Sequence, residues 1–158
     1  MRVERIATHA LGDRSYLVYD GAVAVVVDPQ RDIDRVERVA ERAGVRITHV
    51  AETHIHNDYL TGGYHLADKH GAEYLVHAAD EVTFRRRPVR AGEDVAVGEL
   101  TVVPVTTPGH TENHLAYVVR HGSRPDAEQA VFSGGNLLYG SVGRTDLVAP
   151  ERTRELRR

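Results

Sequence analysis

The run "SYLVYDGAVAVVVDP", residues 15 to 29, sets the strongest limit on how this chain can fold. Two segments rich in β-branched and apolar residues flank Gly21, a pattern that reads as a hairpin. From Ala22 to Val27 there is no polar residue, so the second strand must be covered on both faces. Asp28 and Pro29 end it. A sheet buried on both sides needs further layers, and "IDRVERVAERAG" offers one. Ile33, Val36, Val39, Ala40 and Ala43 recur at helical spacing, with Asp32 placed as a cap and Gly44 as a stop.

A strand is expected in "RITHVAET", a short helix in "YHLADKHG" ended by Gly71, and another strand in "AEYLVHA". Beyond residue 93 the signals are nearly all strand: Val95 and Val97 alternate before a turn at Gly98, then come "LTVVPV", "HLAYVVR" and "AVFSGG". This order predicts an α/β fold, a two-sheet sandwich with its active loops at strand ends. A doubly wound nucleotide fold would alternate strand and helix throughout. With 158 residues and no linker or repeat, 1–158 reads as one domain.

Composition narrows the chemistry. No cysteine is present, so disulfides, thiolate ligands and thiol nucleophiles are excluded, and any sulfur must come with a substrate. A net charge of -3 argues against a nucleic-acid surface, and Arg85-Arg86-Arg87 reads as a solvated loop. No apolar run approaches the roughly 20 residues of a membrane-spanning helix, so no membrane partner and a cytoplasmic location are expected. Ten histidines are the unusual feature, and four of them occupy suggestive positions.

In "ETHIHNDYLTGG", His54, His56 and Asp58 alternate, and in an extended segment such residues project to one face. Two imidazoles and a carboxylate converging at a strand end suit Zn or non-haem Fe. In "TTPGHTENH", Pro108 and Gly109 force a loop that presents His110, a third imidazole for such a site. His114 is a candidate for the substrate pocket or for supporting the ligands, and Tyr59 for a hydrogen bond within the pocket. In "FSGGNLLYGSVGRTD" the glycines bring backbone close to something, and Arg144, Thr145 and Asp146 form a compact polar cluster that could bind substrate. His9, His49, His65, His70, His77 and His121 read as surface or satisfied core residues.

Together, "HIHNDY", "TPGHT" and "GRTD" resemble the metallo-β-lactamase superfamily, and most of all its persulfide dioxygenase and glyoxalase II-like branch as found in members fused to rhodanese domains. The likeness runs from about Tyr16 to Asp146. It implies an αββα sandwich, here short at the C-terminus. It implies a metal held by His54, His56 and His110, with Asp58 as ligand or base, a small thiol-derived substrate, and a rhodanese-type partner. In the dioxygenase branch a single Fe(II) would be held by the counterparts of His54 and His110 and by an aspartate. Here Gly135 stands at that aspartate's position and Tyr59 replaces the last histidine of the first motif, so one divalent ion is expected rather than two.

Three readings follow. The leading one is a mononuclear enzyme using Fe(II) to oxidise a substrate like glutathione persulfide, with Asp58 orienting a ligand or moving a proton. A second is Zn(II)-dependent hydrolysis of a thioester with Asp58 as base. A third is a truncated or degenerate domain without catalysis.

Overall fold

The computed structural model describes residues 1–9, 12–124, 126, 128–138, 140–146 and 153–156. Its first sheet contains β1 (Arg2–Thr8), β2 (Asp13–Asp20), β3 (Val23–Val27), β4 (Arg46–Ala51), β5 (Glu73–His77) and β6 (Arg87–Val89), in that spatial order. The first three strands run antiparallel, and β3 to β6 run parallel. Helix α1 (Asp34–Ala43) connects β3 to β4 and α2 (Gly63–His70) connects β4 to β5, as parallel pairing requires. A second, antiparallel sheet has the order β10-β9-β8-β7, from β7 (Val95–Val97), β8 (Leu100–Thr106), β9 (Leu115–His121) and β10 (Ala130–Phe132). A two-stranded ribbon, β11 (Leu137–Leu138) and β12 (Ser141–Val142), and the short α3 (Thr153–Leu156) follow.

The two-period of β3 sorts the core. Ala24 and Val26 face α1 and α2, where they meet Val36, Ala40 and Leu66. Val25 and Val27 face the second sheet, where they meet Val102, Leu115 and Tyr117. That is the double coverage the apolar run demanded, and it yields the expected sandwich. A helical layer covers the first sheet, while among the described residues no helix longer than α3 is available to the outer face of the second. Among the described residues no helix is long and apolar enough to cross a membrane.

Local expectations met with corrections. Gly44 does stop α1, at a φ of 68°, but Ile33 rather than Asp32 is the N-cap, and no side chain caps the helix. The Asp32 carboxylate instead accepts from Arg35 at 3.2 Å. The arginine run is not a free loop: Arg87 opens β6 and pairs with Glu73, while Arg86 donates to the carbonyls of Ala78 and Asp80. Strand β1 escaped the sequence reading because it is an edge strand with only Ile6 buried.

Candidate metal centre

Two loops at one edge of the sandwich build the site. Residues 52–62 leave β4 without continuing as a strand, and backbone bonds fix their course. Gly62 N donates to the Pro29 carbonyl at 2.8 Å, and Leu115 N of the second sheet donates to the Thr53 carbonyl at 2.7 Å. Tyr117 Oη donates to the Glu52 carbonyl at 2.9 Å. The second loop, 107–114, is closed by Thr107 N donating to the His114 carbonyl.

His56 enters a buried carboxylate pair. Its Nε2 lies 3.2 Å from Asp28 Oδ1, 3.2 Å from Glu52 Oε2 and 3.0 Å from the Tyr59 hydroxyl. Burial disfavours the imidazolium, but the hydrogen bonds to Asp28 and Glu52 outweigh it and raise the His56 pKa to about 10. Burial also opposes charge on Asp28, yet His56 and the Thr53 amide hold its pKa below the usual carboxylate value. Glu52, buried beside Asp28, is pushed up, and its Oε1 accepts from Tyr74 at 2.9 Å and from Thr61. The cluster is thus a paired Asp28 and His56 beside a Glu52 whose charge is disfavoured by burial and by Asp28.

His54 borders this cluster, its ring 4.1 Å from that of His56 at 53°. Its ring lies 4.8 Å from His110 at 89° and 4.9 Å from His114, nearly parallel at 24°. Burial first, then the charge on His56, pushes its pKa down to about 3, so the ring is neutral. Thr53 Oγ1 donates its one proton to Asp28 Oδ2 at 2.8 Å, a carboxylate that only accepts. Hence His54 Nδ1, 2.9 Å from the same hydroxyl, donates to it, and the free electron pair of His54 lies on Nε2. His110 Nδ1 and His114 Nε2 are buried without a hydrogen-bond partner among the described residues. Such an atom costs about 1–3 kcal/mol unless something else satisfies it.

His54, His56, His110, Asp58, Tyr59 and Arg144 all line one cleft of about 760 Å³. The expected trio of His54, His56 and His110 gathers there, with the His54 ring 4.1 Å from His56 and 4.8 Å from His110. The one trio of metal-capable atoms within 4.8 Å of each other among the described residues is Asp28, Glu52 and His56. The histidines meet without the expected strand alternation, because residues 52–60 are bends and coil. Asp58 stands 66% exposed, its carboxylate 4.0 Å from His56 Nδ1, rather than beside His54 and His110 as a ligand. His114 is corrected as a pocket residue: it is wholly buried, outside the cleft lining, with Nδ1 2.8 Å from Thr107 Oγ1. Asp146 is not in that lining either; it grips Arg144 through two contacts of 3.0 and 2.6 Å.

Sequence reasoning missed Asp28, Glu52 and Thr53. Asp28 carried a signal, an acid closing a wholly apolar strand. It also missed Tyr16 and Phe132, whose rings lie 5.0 Å apart and form an apolar wall, and Arg14 on the rim.

The donors fit one ion better than two. His54, neutral with Nε2 available, and His110, with a buried nitrogen lacking a partner, are suited to hold it. Asp28, Glu52 and His56, with donor atoms within 4.8 Å of one another, are the alternative set for it. For a second ion, position 59 offers a buried phenol whose pKa is raised, and Gly135 offers nothing.

No family model matches the chain. It is 35% identical over 127 residues to a hydroxyacylglutathione hydrolase of Rhodospirillum rubrum, covering 78% of this chain and 49% of that protein. Among solved structures, a metallo-β-lactamase from Staphylococcus aureus superposes with a TM-score of 0.84 at 30% identity, covering 93% of this chain and 47% of that one. ETHE1 from Myxococcus xanthus gives 0.80 at 29%, covering 93% and 63%. The chain spans about half the length of the curated relatives it matches.

Proposed function

The chain belongs to the metallo-β-lactamase superfamily, and from that premise we propose that it is a mononuclear metal enzyme acting on a thiol-derived substrate of the glutathione class. The observation that carries this reading is the contrast at the cleft floor: neutral His54 stands against His110, while the positions for a second ion hold a phenol, an exposed carboxylate and a glycine. Bound there, a divalent ion would supply Lewis acidity, and iron would add reactivity toward O2. Thr53 fixes the tautomer of His54. Tyr16 and Phe132 give the substrate an apolar wall, and Arg14 and Arg144 on the rim can meet its carboxylates, Arg144 being oriented by Asp146.

Oxidation of a persulfide with Fe(II) is the leading form of this reading. It is supported by the single-ion donor set, by the resemblance of "HIHND", "PGHT" and "GRTD" to the dioxygenase branch, and by the similarity to ETHE1. The names of the curated relatives favour a second form, Zn(II)-dependent thioester hydrolysis. Elemental analysis of protein purified without oxygen, with O2 uptake on glutathione persulfide and turnover of S-lactoylglutathione, separates the two. Iron with O2 uptake is the expected result. Zinc with thioester turnover replaces it by the hydrolase form, and neither metal nor turnover leaves a domain without catalysis.

A further inference from the structure

Gly135 stands where relatives of the dioxygenase type are expected to carry a carboxylate, and its surroundings say more than that a ligand is missing. A Cβ on Gly135 would lie 2.5 Å from His110 Cδ2, 2.7 Å from Nε2 and 3.0 Å from Cγ. Ordinary Cβ contacts are longer than this, so a side chain at 135 and the His110 ring in its present place exclude each other. Backbone conformation is not the reason for glycine here: Gly134 has a φ of 53°, but Gly135 is not among the residues with positive φ. Gly143 closes the other side, since a Cβ there would lie 3.0 Å from His110 Cβ and run into the Gly135 carbonyl. Gly143 N donates to the Asn136 carbonyl at 2.8 Å, which holds this turn against the histidine.

We infer that Gly135 is a positioning residue: the place of its absent side chain is the seat of the His110 imidazole, so position 135 supplies room for the ring and no ligand. The inference rests on His54 and His110 being the ligands. A side chain placed at 135 joins the site only by moving the His110 ring from where it now stands.

The test uses the full chain, metal-free, as the unsubstituted protein, Gly135→Ala, His110→Ala, the double variant and Gly135→Asp. Thermal unfolding is expected to show Gly135→Ala lowering Tm clearly when His110 is present and much less when it is alanine, because the double variant removes the ring that the new methyl group strikes. Titration with Zn(II) alone is expected to show Gly135→Asp binding more weakly than the unsubstituted chain. Equal loss of Tm in both backgrounds, or failure of both alanine variants to fold, removes His110 as the reason for the glycine and overturns the inference. Tighter Zn(II) binding by Gly135→Asp overturns it too, since position 135 would then be a vacant ligand slot. If the unsubstituted chain binds no Zn(II) or Fe(II), the metal reading fails, and the thermal comparison alone still decides whether Gly135 seats the ring.

Discussion

Two clusters share the loop after β4, and they solve the burial of histidine in opposite ways. Around His56 the neighbours are acidic: Asp28 and Glu52 face Nε2 at 3.2 Å each, beside the Tyr59 hydroxyl, and the ring keeps its proton. Around His54 the neighbours are other imidazoles and a threonine hydroxyl, and the ring gives its proton up. The first cluster is tied together by bonds from Thr53, Thr61 and Tyr74, with Glu52 Oε2 left without a hydrogen-bond partner among the described residues. The second leaves nitrogens on His110 and His114 without partners among the described residues, which is the state expected of groups kept for a ligand. Residues two apart in one motif thus meet opposite surroundings.

The sharpest way to break this contrast is Asp28→Asn. Asp28 has a φ of 48°, which asparagine tolerates nearly as well, so the change takes away the charge and one of the two acceptor oxygens that Thr53 uses, without straining the backbone. His56 is then a buried cation short of its counter-ion, and removing one partner of such a pair costs about 3–5 kcal/mol. Urea unfolding should show a loss of that size. A loss below about 1 kcal/mol would mean that Glu52 alone can carry the imidazolium, and the ionic description of this cluster would have to be withdrawn.

Thr53→Val probes the link between the clusters, because one hydroxyl donates to Asp28 and accepts from His54. Valine keeps the shape and loses both bonds. Removing a hydrogen bond that orients a metal-binding histidine typically lowers affinity by about 10–100-fold, and that is the expected change in Zn(II) affinity by competition titration. Unchanged affinity would show that the His114 stack, not Thr53, orients the His54 ring. Tyr59→Phe belongs to the ionic side: it keeps the ring packed on His56 at 4.3 Å and removes the hydroxyl from Nε2. It should cost about 0.5–1.5 kcal/mol of stability while leaving metal content unaltered. A loss of metal with stability intact would move Tyr59 to the metal side of the contrast.

What could be read from the sequence followed physical strength. The six apolar residues from Ala22 to Val27 left β3 no alternative to double burial, and the spacing from Ile33 to Ala43 left α1 little alternative to a helix. The edge strand β1 pairs through its backbone and buries one side chain, so its sequence carries almost no signal. Asp32 has the chemistry of a cap, but Arg35 holds its carboxylate. At the site, His54 and His110 were legible because loops after strands present their residues. The direction of the His56 ring was not, because it depends on Asp28, 28 residues away, and on a turn that breaks the strand period. The role of Gly135 was equally hidden, since a missing side chain has meaning only once its neighbours are placed.

The smallest expected effect comes from an ion pair that lacks what the His56 cluster has, namely exclusion of water. Glu37 of α1 accepts from Lys69 at 2.7 Å and from His70 at 2.8 Å, tying together the two helices that cover the first sheet. Slight burial works against its charge, but the bonds from Lys69 and His70 prevail and lower its pKa from 4.5. A carboxylate whose pKa is depressed by folding contributes stability above its unfolded value and loses it as pH falls through the folded one. The contribution is therefore present at neutral pH and disappears below about pH 4.5. Since Lys69 is half exposed, solvent screening limits it to about 0.2–1 kcal/mol, less at high salt. Glu37→Gln should lower the urea midpoint slightly near neutral pH and low salt, and leave it unchanged in acid or in strong salt. A loss as large as that of Asp28→Asn would mean that charge pairing, rather than charge pairing without water, sets the difference between the clusters.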